Sequence, residues 1–175
     1  SDGASSVVLC SEKFAKAHGG DYVEVIGSGR GGSPAALQGR EHMTTIPSTK
    51  IAAKAAYDMA GITAKDVDFA EVHDCFTIAE VVDTEDLGFF GKGQGIQAIR
   101  EDRTKLNSDI SINPSGGLKS KGHPIGATGV GQVVEVYDQL TGNAGARTVK
   151  DAKIGLTHNF GATGASCAVH VFQSV

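Results

Sequence analysis

The sequence predicts an α/β protein in which helices cover a mixed β-sheet. Short β-rich segments alternate with segments whose apolar residues recur every three to four positions, and two apolar segments end the chain. Apolar residues make up 40% of the 175 residues, which is enough for one domain core. No internal repeat or linker interrupts this order, so a single domain over residues 1–175 is expected.

Each element is predicted from its local pattern. Six segments have the composition of strands: 5–10, 22–26, 67–72, 110–113, 153–157 and 167–172. Four segments have helical patterns: 11–18, 49–60, 77–87 and 124–140. Gly27 is expected to end the second strand, and the loops are expected over 27–47, 88–109 and 114–122. Residues 158–164 suit a tight hairpin.

Individual residues mark the helix ends. Gly61 is a C-cap for the helix 49–60. Thr77 and Glu80 match the T-x-x-E capping box of the next helix. Pro124 suits the first turn of the last helix, where an N–H is not required.

Composition excludes several classes of protein. The net charge is −4 and no basic block is present, so neither nucleic acid nor an anionic membrane surface is an expected partner. No apolar run approaches the ~20 residues of a membrane span. The 3 cysteines are far apart and odd in number, which favours a reducing compartment over a disulfide framework. We expect a cytoplasmic protein, since no secretory signal or peroxisomal tripeptide is visible.

The segment 27–32, GSGRGG, matches the G-x-G-x-x-G pattern of dinucleotide-binding proteins. That pattern also needs a helix at the third glycine and an acidic residue ~20 positions on. Neither follows here, so a turn at the end of a strand is the favoured interpretation.

His73 and Cys75 lie where a strand gives way to a helix. In α/β proteins such junctions carry functional side chains, and the partial positive charge of a helix N-terminus lowers a thiol pKa. Cys75 is therefore a candidate base or nucleophile. A buried cysteine beside a structural histidine is the equally open alternative.

Two further histidines are candidates. His123 stands between Gly122 and a helix start, where a neutral imidazole can take a proton or donate to an oxyanion. Gly122 lets a substrate approach the backbone. His158 and Asn159 follow a strand, and Gly161 can present a backbone N–H to a substrate. The alternatives are an inconsequential loop histidine and an ordinary hairpin. No metal is expected, because the spacing of these residues lacks the usual local ligand pairs.

Five segments together resemble thiolases: DGASSVVL at 2–9, HDCF at 73–76, NPSGG at 113–117, KGHPIGATG at 121–129, and His158-Asn159. The chain is similar to the C-terminal half of the sterol-carrier-protein-2 type and archaeal-type thiolases, and HDCF distinguishes this branch from thiolases with NEAF there. The resemblance implies one half of the layered thiolase fold. It also implies cleavage of 3-ketoacyl-CoA by CoA, or the reverse Claisen condensation.

The resemblance assigns roles to the candidates. His123 would activate an acyl-accepting cysteine and contribute to an oxyanion hole, and Cys75 would act as acid/base on the substrate α-carbon. His73 would line the oxyanion hole. His158 and Asn159 match the last catalytic loop, and Cys167 is expected in the core. No cofactor is implied, because coenzyme A thioesters are the substrates.

The acyl-accepting cysteine belongs to the N-terminal half of such enzymes. We therefore expect a partner half in the same or another chain, a homo- or hetero-oligomer, and no thiolase activity from this chain alone. Two alternatives remain open: a thiolase-like aldolase acting on acyl-CoA side chains, and a non-catalytic partner subunit that binds acyl-CoA or lipid.

Overall fold

A computed structural model describes residues 1–175 and contains a five-stranded sheet. The strands are β1 (Val23–Gly32), β2 (Phe69–Glu71), β3 (Ser111–Ile112), β4 (Ile154–Gly161) and β5 (Ser166–Ser174). The helices are α1 (Glu12–His18), α2 (Pro47–Ala60), α3 (Thr77–Asp86), α4 (Gly95–Arg100), α5 (Gly117–Lys121) and α6 (Ile125–Leu140). None of these helices has the length and apolarity that a bilayer crossing requires.

The sheet is mixed, as the sequence predicts. Its strand order is β1-β5-β4-β2-β3. The pairs β1/β5 and β5/β4 are antiparallel, whereas β4/β2 and β2/β3 are parallel. The predicted α/β architecture is therefore confirmed.

Helices pack on both faces of this sheet. On one face, α2 contributes Ala52 and Ala56 to a core with Leu156 and Val169 from β4 and β5. On the other face, Val136 of α6 packs with buried aromatic side chains of the sheet. Because successive side chains of a strand point to opposite faces of the sheet, neighbouring residues of the central strands face different helices.

The glycine-rich segment belongs to β1 and is not a turn. Strand β1 continues through Gly27 to Gly32, and its alternate glycines lie against α2. A Cβ atom on Gly29 would lie 2.0 Å from the carbonyl oxygen of Ala52, and one on Gly31 would lie 2.0 Å from that of Ser48. These glycines therefore permit close packing of strand and helix, and both the strand end at Gly27 and the turn prediction are wrong.

The N-terminal segment is the second difference. Residues 1–10 have no regular structure, and Val8 is 89% exposed. A strand requires a neighbour for its backbone hydrogen bonds, and no backbone bond joins this segment to another strand. The strand predicted over 5–10 is therefore wrong.

Two short helices replace predicted loops. Helices α4 and α5 have 6 and 5 residues, which is too short for a helical repeat of apolar residues to be visible. The capping box is also misplaced. Phe76 is the N-cap of α3 and makes no side-chain bond, whereas Thr63 and Asp66 form a capping box on a short 3₁₀ turn.

The hairpin begins later than predicted. Strand β4 extends to Gly161, so His158 and Asn159 belong to a strand and only 162–165 form the turn.

Candidate active site

A cleft of about 460 Å³ lies beside the N-terminal half of α6 and brings three predicted site residues together. His73, His123 and Asn159 all line it. The rings of His73 and His123 meet edge to face with centroids 4.9 Å apart. Nδ1 of His73 lies 2.9 Å from Oδ1 of Asn159.

Strand register explains why His73 meets Asn159. In the parallel pair β2/β4, Glu71 is aligned with Thr157. Two residues further on, β2 has ended at the carboxyl edge of the parallel strands, and His73 lies beside Asn159 of β4. This is the edge at which α/β proteins place their sites.

Asp74 joins the HDCF segment to the loop that leads to His123. Its carboxylate accepts hydrogen bonds from the backbone N–H groups of Leu118, at 2.6 Å, and Lys119, at 3.3 Å. Gly117 has a φ of 62°, and a Cβ there would lie 2.3 Å from Asp74 Oδ2. Sequence reasoning missed this role of Asp74, because its two partners lie 44 and 45 positions further along the chain.

A second buried carboxylate holds the same loop. Glu71 has no exposed surface and accepts from the backbone N–H and the hydroxyl of Ser115, at 3.0 and 2.6 Å. Burial raises its pKa, while Ser115 and the ammonium of Lys121, 3.7 Å away, oppose that shift. The segment 115–119 that precedes His123 is therefore held by two carboxylates, Glu71 at the end of β2 and Asp74 three residues beyond it.

His123 lies at the start of α6, just after Gly122, whose φ of 84° ends α5. Its Nδ1 is 2.7 Å from the hydroxyl oxygen of Thr128. The same hydroxyl lies 3.1 Å from the carbonyl oxygen of Pro124, and when it donates its single proton there it can accept from Nδ1–H of His123. Nε2 of a neutral His123 then keeps a lone pair and can accept a proton.

His158 does not join the cleft. Successive residues of a strand face opposite sides, so His158 faces α2 whereas Asn159 faces α6. His158 has no exposed surface, and its Nε2 lies 2.9 Å from the hydroxyl of Thr49. Burial lowers its pKa to about 3. Its Nδ1 lies 3.6 Å from Oδ2 of Asp83, a buried carboxyl without a hydrogen-bond partner.

Cys75 is half-buried and follows His73 by two residues, but it is not among the residues that line the cleft. Burial raises the pKa of its thiol, and the backbone N–H of Phe76 only partly opposes this. The expectation that the helix N-terminus lowers this pKa is therefore wrong, because desolvation outweighs it. Cys75 is a thiol at neutral pH.

The remaining predicted residues lie outside the cleft. Gly161 is exposed at the end of β4, paired with Ser166, and does not line the cleft. Gly122 positions His123 through its backbone. Cys167 is 3% exposed in β5, which confirms its place in the core. No group of three or more potential ligands could hold a metal ion.

Known proteins resemble this chain over nearly its full length. Residues 29–174 match the family described as thiolase C-terminal domain-like. The chain belongs to this family.

Similar proteins come from archaea and animals. An acetyl-CoA acetyltransferase of Methanothermobacter thermautotrophicus is 47% identical over 173 residues, covering 99% of this chain and 45% of that protein. Human sterol carrier protein 2 is 39% identical over 182 residues, covering 94% of this chain and 31% of that protein. The chain thus spans less than half the length of these relatives.

A solved structure shares the fold. It is described as the Ltp2-ChsH2(DUF35) aldolase and superposes with a TM-score of 0.80 at 18% identity. The match covers 88% of this chain and 40% of that one. At this identity the likeness shows the fold alone.

Proposed function

We propose that this chain is the C-terminal half of an acyl-CoA thiolase. The observation that carries the proposal is the meeting of His73 and His123 at one cleft, from two motifs 50 positions apart in a thiolase-family chain. The substrates are coenzyme A thioesters, and no cofactor takes part.

His123 takes the proton of the acyl-accepting cysteine, which an N-terminal half supplies. The hydrogen bond to Thr128 supports this role, because it leaves Nε2 of His123 free to accept a proton. The cysteine sulfur then attacks the keto carbon of a 3-ketoacyl-CoA. The bond between that carbon and the α-carbon breaks, leaving an acyl-enzyme and the enolate of acetyl-CoA.

Cys75 protonates the enolate carbon and releases acetyl-CoA. Its raised pKa supports this direction, since the thiol holds its proton until a stronger base forms beside it. The thiol of a second CoA gives its proton to the Cys75 thiolate and takes the acyl group, and the proton held by His123 returns to the released cysteine. In the condensation direction the same thiol must first lose its proton, and substrate contacts have to lower its pKa.

The missing nucleophile makes the proposal testable. Cys167 is buried, and Cys75 serves the α-carbon. Cys10 is exposed and is not among the residues that line the cleft. We expect no turnover of acetoacetyl-CoA and CoA by this chain alone, because no covalent intermediate can form.

A chimera supplies the other half. This chain replaces the matching segment of the Methanothermobacter thermautotrophicus acetyl-CoA acetyltransferase, and mass spectrometry follows the formation of acetyl-CoA from acetoacetyl-CoA and CoA. The expected result is thiolysis by the chimera and none by the isolated chain. With a 3-hydroxyacyl-CoA in place of acetoacetyl-CoA, release of an aldehyde or ketone without consumption of CoA identifies an aldolase instead. Binding of the thioester by a folded chimera without turnover identifies a non-catalytic subunit.

A further inference from the structure

Gln132 lies on α6, is only 1% exposed, and belongs to none of the predicted catalytic residues. Its amide nitrogen donates to the backbone carbonyl of His158 at 3.4 Å, and its amide oxygen accepts from Nδ2 of Asn159. Oδ1 of Asn159 then lies 2.9 Å from Nδ1 of His73. Three side chains thus form one chain of hydrogen bonds from the helix to the cleft.

The backbone carbonyl of His158 fixes the direction of this series of hydrogen bonds. A carbonyl oxygen accepts and cannot donate, so Gln132 turns its NH₂ group towards His158 and its oxygen towards Asn159. Asn159 must then donate through Nδ2, which leaves its oxygen for His73. Since an amide oxygen also only accepts, His73 carries a proton on Nδ1. The reverse orientation would bring the side-chain oxygen of Gln132 against the carbonyl oxygen of His158 at a buried position, which is unfavourable.

The same series of hydrogen bonds leaves the second nitrogen of His73 without a proton. Burial lowers the pKa of His73, which favours the neutral ring with one N–H. Nε2 makes no hydrogen bond within the chain and is not among the buried polar atoms without a partner, so it keeps some exposure at the cleft. It therefore offers a lone pair to whatever occupies the cleft.

We propose that Gln132 is a positioning residue that sets the tautomer of His73 through Asn159, so that His73 faces the cleft as a hydrogen-bond acceptor. His73 can donate to an oxyanion from Nε2 only after taking up a second proton. This consequence for the oxyanion rests on the proposed thiolase function, whereas the tautomer itself does not.

The test is ¹⁵N NMR of the chain with labelled histidine and without substrate, with His73→Gln identifying the signals of His73. The expected wild-type spectrum has the proton of His73 on Nδ1. Gln132→Met keeps the size of the side chain but removes both amide groups. The ratio of the Nδ1–H to the Nε2–H tautomer should then fall by about five- to tenfold, the effect of losing one directing hydrogen bond.

Gln139→Met is the matched control on the same helix. Gln139 is also buried and bonds to Glu135, Arg147 and Val149 on a part of α6 that does not line the cleft. Its replacement should lower stability without changing the tautomer of His73.

A second variant keeps the proposal testable if Gln132→Met does not fold. In Gln132→Glu the new carboxyl still offers an acceptor to Nδ2 of Asn159, so the proton of His73 should stay on Nδ1, and its transfer to Nε2 overturns the proposal. A wild-type spectrum with the proton on Nε2 overturns the proposal. So does an unchanged tautomer ratio in Gln132→Met. Because no substrate is present, failure of the thiolase assay does not affect either outcome.

Discussion

The two faces of β4 place adjacent polar residues in opposite environments. Asn159 faces α6 and has hydrogen-bond partners for both ends of its amide, His73 and Gln132, at the edge of an open cleft. His158 faces α2 with no exposed surface, and its Nδ1 has no hydrogen-bond partner. The alternation of a strand therefore separates a cleft cluster from a core cluster within one dipeptide.

The difference shows that polarity alone does not mark a functional residue. The cleft cluster consists of His73, His123 and Asn159, each of which lines the cleft. The core cluster consists of His158, Thr49 and Asp83, each with 0% exposure. If this distinction is correct, substitutions in or beside the cleft cluster affect chemistry, and substitutions in the core cluster affect folding.

The largest expected effect concerns Cys75, beside the cleft cluster. In the chimera, Cys75→Ala should lower the rate of thiolysis by about 10²–10⁴-fold, the usual range for a general acid or base. Exchange of the α-protons of acetyl-CoA with deuterated water, followed by NMR, should be lost equally, while transfer of an acyl group to the N-terminal cysteine continues. His123→Ala is the comparison variant, since it should slow acylation as well. Unchanged α-proton exchange in Cys75→Ala would remove Cys75 from the acid/base role.

A matched pair on β4 tests the comparison directly. Asn159→Leu and His158→Leu replace neighbouring polar residues by the same apolar one. In the chimera, Asn159→Leu should lower kcat by up to about 10²-fold, because His73 loses the partner that orients it. His158→Leu should instead lower the free energy of unfolding by about 1–3 kcal/mol, since Thr49 and Asp83 lose their polar neighbour.

The measurements for this pair are kcat of the folded chimera and thermal unfolding of the chain. The backbone carbonyl of His158 remains in both variants, so the bond from Gln132 is retained. A loss of kcat by His158→Leu as large as that of Asn159→Leu would restore the catalytic role that the sequence predicted for His158.

Local sequence patterns predicted most of the sheet and the long helices. The 16-residue helix α6 and the 14-residue helix α2 have clear periodicity and end signals, so both were predicted nearly to their bounds. The glycines of β1 were misinterpreted because their cause is α2, which lies 16 or more positions along the chain from Gly31. Local patterns cannot show such a contact.

The site was predictable only in part for the same reason. The motifs identified His73, His123 and Asn159, and strand register brings them together. The motifs did not show that β4 continues through His158, and a residue inside a strand faces the side opposite to its neighbour. Gln132 and Asp83 carry no motif, since their importance comes from the partners they have, or lack, after folding.

The smallest expected effect concerns the core carboxyl. Burial, with smaller contributions from Asp86, Asp74 and Glu80, raises the pKa of Asp83 well above its ordinary value. The folded chain therefore holds a proton on Asp83 that the unfolded chain releases above about pH 4. Stability should consequently fall as the pH rises from about 4 towards the folded-state pKa of Asp83.

His158 contributes a pH dependence of the opposite sign. Its pKa is lowered to about 3, so the unfolded chain binds a proton below the ordinary histidine value that the folded chain does not. Stability is lost as the pH falls from about 6.5 towards 3. The effect of Asp83 is therefore best measured at pH 7 to 9, where His158 is neutral in both states.

Asp83→Asn should remove the fall in stability at high pH. The amide cannot ionise, so the side chain stays neutral at every pH, as the protonated carboxyl is. At pH 8 we expect the variant to be more stable than the wild type by about 1 kcal/mol, or ~2–4 °C in Tm, with a smaller difference at pH 5. Asp58→Asn on the exposed face of α2 controls for the loss of one negative charge and should not change the pH dependence. A variant that is less stable than the wild type at every pH would show that Asp83 is ionised in the folded chain and that the core cluster contains an ion pair with His158.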